Sequence, residues 1–152
     1  MRSVKKNTKD IKFILDNLRN QDRNELFSIY GDSWKNTVFR NVLNINEDYC
    51  WIEYSNDNQP ILMYGIVPNE NNVGVIWMLS TQDITKEQVS FLRRAKEFIA
   101  EGSEKFSLLC NFVHSDNILA IKWLKWLGFV VESPKVIGLG KKQFLFFHKE
   151  CN

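Results

Sequence analysis

The first third of the chain carries apolar side chains at helical spacing. Within residues 10–18 they recur every three or four positions, at Ile11, Ile14, Leu15 and Leu18, which is the period of a helix with one buried face. Asn7 or Thr8 is a suitable N-cap for this helix, and the polar run 20–22 interrupts the period. The pattern predicts three helices, over residues 10–18, 24–30 (ended by Gly31) and 34–43 (capped by Ser33), after a short edge strand over residues 2–6.

From residue 49 the apolar positions change to patterns typical of strands. Residues 49–54 and 61–67 flank the polar turn 55–58 and predict a β-hairpin. The continuous apolar run 73–79 predicts a central strand. Thr85 and Gln88 have the spacing of a capping box, which predicts the start of a fourth helix that ends at Gly102.

The last third predicts one more helix between strands. Residues 106–113 form an apolar run that predicts a buried strand, and Ser115 or Asp116 is expected to cap a helix that Gly128 ends. Two final strands are predicted over 129–137 and 143–148, joined by a loop over 138–142. The order is then (β)ααα-βββ-α-β-α-ββ, an antiparallel meander followed by a crossover to a parallel neighbour. This order predicts the α/β class, with a mixed, mostly antiparallel sheet of six to seven strands flanked by helices.

Composition narrows the class of protein. With 152 residues, 44% of them hydrophobic, the chain is expected to form a single domain over residues 1–152. Its 20 basic and 18 acidic residues are well mixed, which argues against a nucleic-acid-binding face. No apolar run approaches the roughly 18 residues that cross a bilayer, so no membrane partner is expected. Cys50, Cys110 and Cys151 lack metal-ligand spacing, and we expect no metal site and a reducing cytoplasm.

The segment after the predicted strand 106–113 resembles part of a known enzyme superfamily. Asn117, Ala120, Gly128 and Phe129 fall at the spacing found in the GNAT superfamily of N-acetyltransferases, where the helix after the fifth strand carries an Asn, an Ala three residues later, a Tyr in the next turn and then Gly-Phe. The element order extends this resemblance over nearly the whole chain. The resemblance implies a GNAT-like fold, acetyl-CoA as cofactor and an amine as acceptor.

The chain departs from the superfamily pattern in two places. The superfamily holds the CoA pyrophosphate on a glycine-rich loop after the fourth strand, where bare amides bind the anion. Residues 80–87 of this chain contain no glycine and include Asp83 and Glu87. The position of the superfamily's proton-donating Tyr is Leu124, which has no proton to give. The resemblance therefore implies a weak acetyl-CoA site.

The site implied by the resemblance lies between the strands 73–79 and 106–113. Asn111 and His114 at the end of the second strand are the candidate catalytic residues, with Ser115 beside them, and only His114 titrates near neutrality. A histidine at a strand end is also commonly a surface or capping residue, and Glu53 is expected on the solvated face of the hairpin. The candidate cofactor-binding residues are Met78, Leu79, Thr81, Thr85, Lys86, Asn117, Ala120 and Trp123.

A second resemblance is narrower. The stretches 75–84, 91–94 and 111–129 are similar to tailed-bacteriophage proteins of the internal virion protein A group, which share a strand ending in Trp-x-Leu-Gly-Thr and a last helix with Trp-Leu-x-x-Leu-Gly. Ser80 replaces the glycine of the first motif. This resemblance implies a phage origin, a location in the host cytoplasm or the virion, and phage or host proteins as partners. Two functions follow as hypotheses: an amine acetyltransferase with a degenerate CoA site, or an inactive virion-assembly or host-interaction protein on the same fold.

Overall fold

A single sheet with helices on both faces makes up the computed structural model, which describes residues 1–137 and 142–151. The strands are β1 Arg2–Lys5, β2 Cys50–Tyr54, β3 Pro60–Asn69, β4 Val73–Ser80, β5 Leu108–His114, β6 Val130–Ile137 and β7 Lys142–Glu150. The helices are α1 Thr8–Asp16, α2 Asn20–Tyr30, α3 Trp34–Asn44, α4 Gln88–Lys105 and α5 Ile118–Trp126. In the part of the chain that the structure describes, no helix is long and apolar enough to cross a bilayer.

The seven strands lie in the order β1-β2-β3-β4-β5-β7-β6. The β4–β5 pair is parallel and the other neighbouring pairs are antiparallel. A parallel pair needs a long crossover, and α4 supplies it. The predicted mixed, mostly antiparallel sheet is confirmed. The predicted loop over 138–142 lies mostly outside the described residues, which resume at Lys142.

Two apolar clusters pack on opposite faces of the sheet. On one face, α1 and α3 cover Cys50, Ile52 and Met63, each fully buried. On the other face, α4 and α5 cover alternate strand residues, with Phe91 and Trp123 in contact at ring centroids 4.6 Å apart. Because side chains alternate in direction along a strand, β2, β3 and β4 contribute to both clusters.

The polar run 20–22, predicted to interrupt the helical pattern, is instead the first turn of α2. Arg19 and Asp22 form an ion pair at 2.8 Å, and both side chains are at most 4% exposed. Asp22 also accepts the amide of Ser80 at 2.9 Å. Arg19 and Asp22 face the interior, whereas Asn20 and Gln21 are exposed. A pattern based on apolar residues therefore places the start of α2 four residues too late.

Helix α4 differs from its prediction at both ends. It runs through Gly102 to Lys105, because this glycine lies against the sheet: a Cβ there would be 3.1 Å from Ile66 Cδ1. The capping box is absent, since a 3-10 helix over Gln82–Glu87 precedes α4. Within it Thr85 Oγ1 donates to the Gln82 carbonyl at 2.9 Å.

Helix α5 is capped by Asn117, and the predicted caps Ser115 and Asp116 lie in the preceding turn. Asn117 Oδ1 accepts the Ala120 amide at 3.4 Å. The spacing of Asn117 and Ala120 that marked the resemblance is therefore the spacing of an N-cap and the amide it accepts. At the other end Gly128 has φ +91°, which a glycine adopts without strain.

Candidate active site

The parallel strands β4 and β5 part halfway along their length. Three residue pairs hold them together, Val73 with Leu108, Gly74 with Leu109, and Val75 with Cys110. Beyond Val75 and Cys110 both strands continue, to Ser80 and His114, without pairing to each other among the described residues. The gap between them is called the opening here.

Asn111 lies where the opening begins. Its Nδ2 donates to the Ile76 carbonyl at 2.6 Å, and its Oδ1 accepts the Phe112 amide at 2.7 Å. The side chain thus replaces the ladder bond that a continued β4–β5 pair would make. The prediction of a catalytic Asn111 is not tested by this geometry, but both ends of its amide already have main-chain partners.

Main-chain groups of β4 point into the opening. The Thr81 amide donates to β3, at the Ile61 carbonyl, whereas the Ile76 carbonyl accepts from Asn111 across the opening. Because peptide groups alternate in direction along a strand, Met78 shares the direction of Ile76. Its N–H and C=O are therefore available to a molecule in the opening.

A cleft of about 500 Å³ passes through the opening and has walls from both faces of the sheet. Helices α2 and α3 line it on one side, and α4 and α5 on the other. Five of the predicted cofactor-binding residues line it, namely Met78, Leu79, Asn117, Ala120 and Trp123. The predicted residues Thr81, Thr85 and Lys86 lie outside its lining.

Glu25, on α2, places a carboxyl group at the wall of this cleft. Its Oε1 accepts two hydrogen bonds, from the His114 main-chain amide at 2.9 Å and from Asn117 Nδ2 at 3.1 Å. Asn117 therefore has two roles, since it caps α5 and orients Glu25. The prediction of site residues did not include Glu25.

The surroundings of Glu25 make its ionisation costly. Burial, and then the neighbouring Asp22 carboxylate, raise the pKa of Glu25 from 4.5 to about 7. The hydrogen bonds from Asn117 and His114 and the charge of Arg19 act in the opposite direction and are outweighed. A carboxyl with this pKa exchanges protons at neutral pH, which suits a general base.

His114 points elsewhere. Its side chain is buried against Phe144, with ring centroids 5.1 Å apart, and its Nδ1 accepts the Asp116 amide at 3.0 Å. It lines a separate cavity together with Phe27 and Ser28. In the cleft itself, His114 takes part through its main-chain amide, which binds Glu25.

The wide end of the opening is partly covered by the chain itself. The Ser80 amide donates to Asp22 at 2.9 Å, and the Ser80 carbonyl accepts from the Arg19 amide at 2.9 Å. In strand alternation Ser80 is the next residue after Met78 that faces the opening. Within the part of the chain that the structure describes, the main-chain N–H and C=O of Met78 are thus free in the opening, and those of Ser80 are already bonded.

The segment that would meet a pyrophosphate offers a poor anion site. Lys86 is exposed and paired with Asp83 at 2.8 Å, a contact that raises the pKa of Lys86. Glu87 stands immediately before α4, where an anion would otherwise meet the helix N-terminus, and its Oε1 accepts the Asn56 amide. Thr81 Oγ1 is buried and lacks a hydrogen-bond partner among the described residues. The residues present therefore fit the acyl end of acetyl-CoA better than its phosphates.

A buried polar cluster lies on the α4 side of the cleft. Arg94 Nε contacts Glu53 Oε1 at 3.2 Å and the Tyr64 hydroxyl at 3.2 Å, and the Tyr64 hydroxyl donates to Glu53 at 2.7 Å. Burial and the Glu53 carboxylate raise the pKa of Tyr64. The expectation of a solvated Glu53 is wrong, since its side chain is 1% exposed. Across residues 1–137 and 142–151, no group of three metal-binding side chains is found.

Comparison with known proteins gives the class of this fold. No protein-family model matches the sequence, and no curated protein matches it significantly. The structure of this chain is similar to that of a ribosomal-protein-alanine N-acetyltransferase from Brucella melitensis. The TM-score is 0.74 at 16% sequence identity, over 99% of each chain. A GNAT-family acetyltransferase from Streptococcus pneumoniae gives 0.66 at 13% identity, over 99% of each chain.

A third structure includes ligands. The spermidine N-acetyltransferase of Vibrio cholerae, in complex with CoA and spermine, gives a TM-score of 0.69 at 12% identity, over 98% of this chain and 94% of the other. Likeness at such identities shows the fold alone. The chain has the fold of GNAT N-acetyltransferases.

Proposed function

We propose that the protein transfers an acyl group from acyl-CoA to an amine through the opening between β4 and β5. The observation that carries this proposal is the Glu25 carboxyl at the wall of a cleft that reaches both faces of the sheet. The acyl donor lies on the side of α4 and α5, where Ala120 and Trp123 line the cleft. The amine lies on the side of α2 and α3.

The chain's own residues account for positioning and proton transfer. When bound, acetyl-CoA supplies an acyl group activated as a thioester. Glu25, as a carboxylate, accepts the proton that a protonated amine must lose before it becomes a nucleophile. The Met78 amide, directed into the opening, is a donor for an acyl oxygen. Leu124 lines the cleft and offers no proton to the leaving group. As the amide C–N bond forms, the thioester C–S bond therefore breaks to release a thiolate, which takes its proton from water.

The test of this proposal is the pH dependence of Glu25→Gln. In wild type, kcat/KM for acetyl transfer should rise with pH through about 7, because the base must be ionised. The Glu25→Gln variant should not show this rise of kcat/KM with pH. At pH 8 its kcat/KM should be at least about 100-fold lower than that of wild type, which is the contribution typical of a general base. Thiol release from acetyl-CoA measures both.

A matched control is Glu104→Gln, which removes an exposed carboxylate near the end of α4. Its kcat/KM and pH profile should equal those of wild type. An unchanged pH limb in Glu25→Gln would show that another group is the base.

The second candidate function is a non-catalytic one on the same fold, in virion assembly or in binding a host protein. The bonded main chain of Ser80 and the Asp83–Lys86 pair favour it, because both weaken a CoA site. The phage origin and the location in the host cytoplasm or virion rest on the sequence resemblance of residues 75–84, 91–94 and 111–129. Detection of the chain in purified phage particles by mass spectrometry would test them.

A further inference from the structure

The acceptor half of the cleft, defined as the wall formed by α2 and α3, presents one unbalanced charge. Among the described residues, the charged side chains that these helices and the preceding turn contribute to the cleft lining are Arg19, Asp22 and Glu25. Arg19 and Asp22 neutralise each other at 2.8 Å, both buried. Glu25 is bonded to neutral donors, an amide and an Asn side chain. Across the cleft, Arg94 is already paired with Glu53.

The rest of the acceptor half is predominantly apolar. Its polar members are Tyr30 and Asn41, and its apolar members are Leu26, Ile29, Val38, Val42 and Ile45. Phe112 of β5 adjoins them at the opening. Ile29 is 36% exposed and Phe112 41% exposed, so the wall is apolar where it meets solvent as well as inside.

We infer that the acceptor is an amine that carries a single positive charge next to an apolar group. This inference rests on the proposed function. A single carboxylate neutralises one ammonium group, and the apolar wall gains free energy from covering an apolar substituent. A polyamine would leave its further charges against apolar side chains, which costs binding energy.

The experiment compares 2-phenylethylamine with spermidine. Acetyl transfer from acetyl-CoA is followed by thiol release, and binding of each amine to the protein without acetyl-CoA is followed by calorimetry. Wild type should favour 2-phenylethylamine by about tenfold or more in kcat/KM and in affinity, a difference of at least about 1.4 kcal/mol in each.

Two variants on α2 locate the preference. Ile29→Glu places a second carboxylate on the acceptor half, and should raise the ratio of spermidine to 2-phenylethylamine about tenfold in both measurements. Phe27→Glu is the matched control, because Phe27 is 51% exposed on the same helix and lies outside the cleft lining. It should leave the ratio within about twofold.

The outcomes separate this inference from the proposed function. Transfer to spermidine in preference to 2-phenylethylamine would overturn the inference and support the function. Selective binding of 2-phenylethylamine without any transfer would support the inference about the pocket and overturn the function. Equal changes in Ile29→Glu and Phe27→Glu, or binding of neither amine, would overturn the inference.

Discussion

Glu25 accepts hydrogen bonds from two donors, and its surroundings disfavour its charged form. The pKa of Glu25 is raised from 4.5 to about 7, so between these pH values the folded protein binds more protons than the unfolded chain. The free energy of unfolding should therefore fall as pH rises through this window. Well above pH 7 the folded protein carries the full free-energy cost of ionising Glu25. At 1.36 kcal/mol per pKa unit this lowers the free energy of unfolding by an amount on the order of 3 kcal/mol.

This cost predicts that Glu25→Gln gains stability relative to wild type as pH rises. Glutamine keeps the oxygen that accepts from His114 and Asn117 and carries no charge. The difference in free energy of unfolding between the variant and wild type, measured in urea, should change in favour of the variant by roughly 1–3 kcal/mol from pH 5 to pH 8. Glu104→Gln should show no such pH-dependent difference. A constant difference across the range would mean that Glu25 has an ordinary pKa in the folded protein.

Residue identities alone could not reveal Glu25. Its partner His114 lies 89 positions away in sequence, and α2 has little apolar periodicity to fix which face is buried. The sequence does predict Asn117 as a site residue, because its spacing to Ala120 and Gly128 is a local signal. The sequence predicts a role for the His114 ring, whereas the His114 main-chain amide is the group that contacts Glu25.

At the scale of elements, the opening depends on how β4 and β5 separate. Asn111 supplies a donor to the Ile76 carbonyl and an acceptor to the Phe112 amide at the point of separation. Asn111→Ala leaves both main-chain groups without their partner. We expect a loss of about 1–3 kcal/mol in the free energy of unfolding, and a lower kcat/KM because the cleft loses its fixed geometry.

The control for this prediction is Asn36→Ala, an exposed position on α3. Its free energy of unfolding should stay within about 0.5 kcal/mol of wild type. If Asn111 acted on substrate alone, as the sequence suggested, Asn111→Ala would lose activity with unchanged stability. Denaturant unfolding and kinetics on the same preparations distinguish the two.

Most elements could be predicted because apolar period and turn residues are local signals. Two of the boundaries that were wrong are set by contacts between elements. Helix α2 begins early because Asp22 binds the Ser80 amide on β4, and α4 continues through Gly102 because this glycine lets the helix approach Ile66. Neither contact leaves a mark in the neighbouring sequence.

At the scale of the whole molecule, the two ends of the proposed acyl-donor site differ, namely the opening between β4 and β5 and the segment after Ser80. The opening brings the main-chain groups of Met78 to the cleft, while the segment after Ser80 offers a poor anion site because Lys86 is paired with Asp83. The sequence predicted this contrast through the missing glycines of residues 80–87. It could not predict that Arg19 and Asp22 also occupy the main chain of Ser80.

This contrast predicts weak binding of acetyl-CoA that improves when the phosphate end is relieved of negative charge. A calorimetric titration of wild type should give a Kd between micromolar and millimolar. Asp83→Asn frees Lys86 from its 2.8 Å pair and removes one like charge from the phosphates, so it should tighten binding about threefold, the scale of an exposed ion pair. Because screening weakens exposed charges, the gain should shrink in high salt.

Glu47→Gln is the matched control for Asp83→Asn. Glu47 forms another exposed pair, with Lys5 at 3.8 Å, and precedes β2 at the end of the sheet away from Ser80. Its acetyl-CoA affinity should equal that of wild type. Sub-micromolar binding by wild type would show that the segment after β4 holds phosphate despite its charges. If wild type does not bind acetyl-CoA at millimolar concentration, the protein has no acyl donor. This result would favour the non-catalytic function, because the opening alone cannot activate an acyl group.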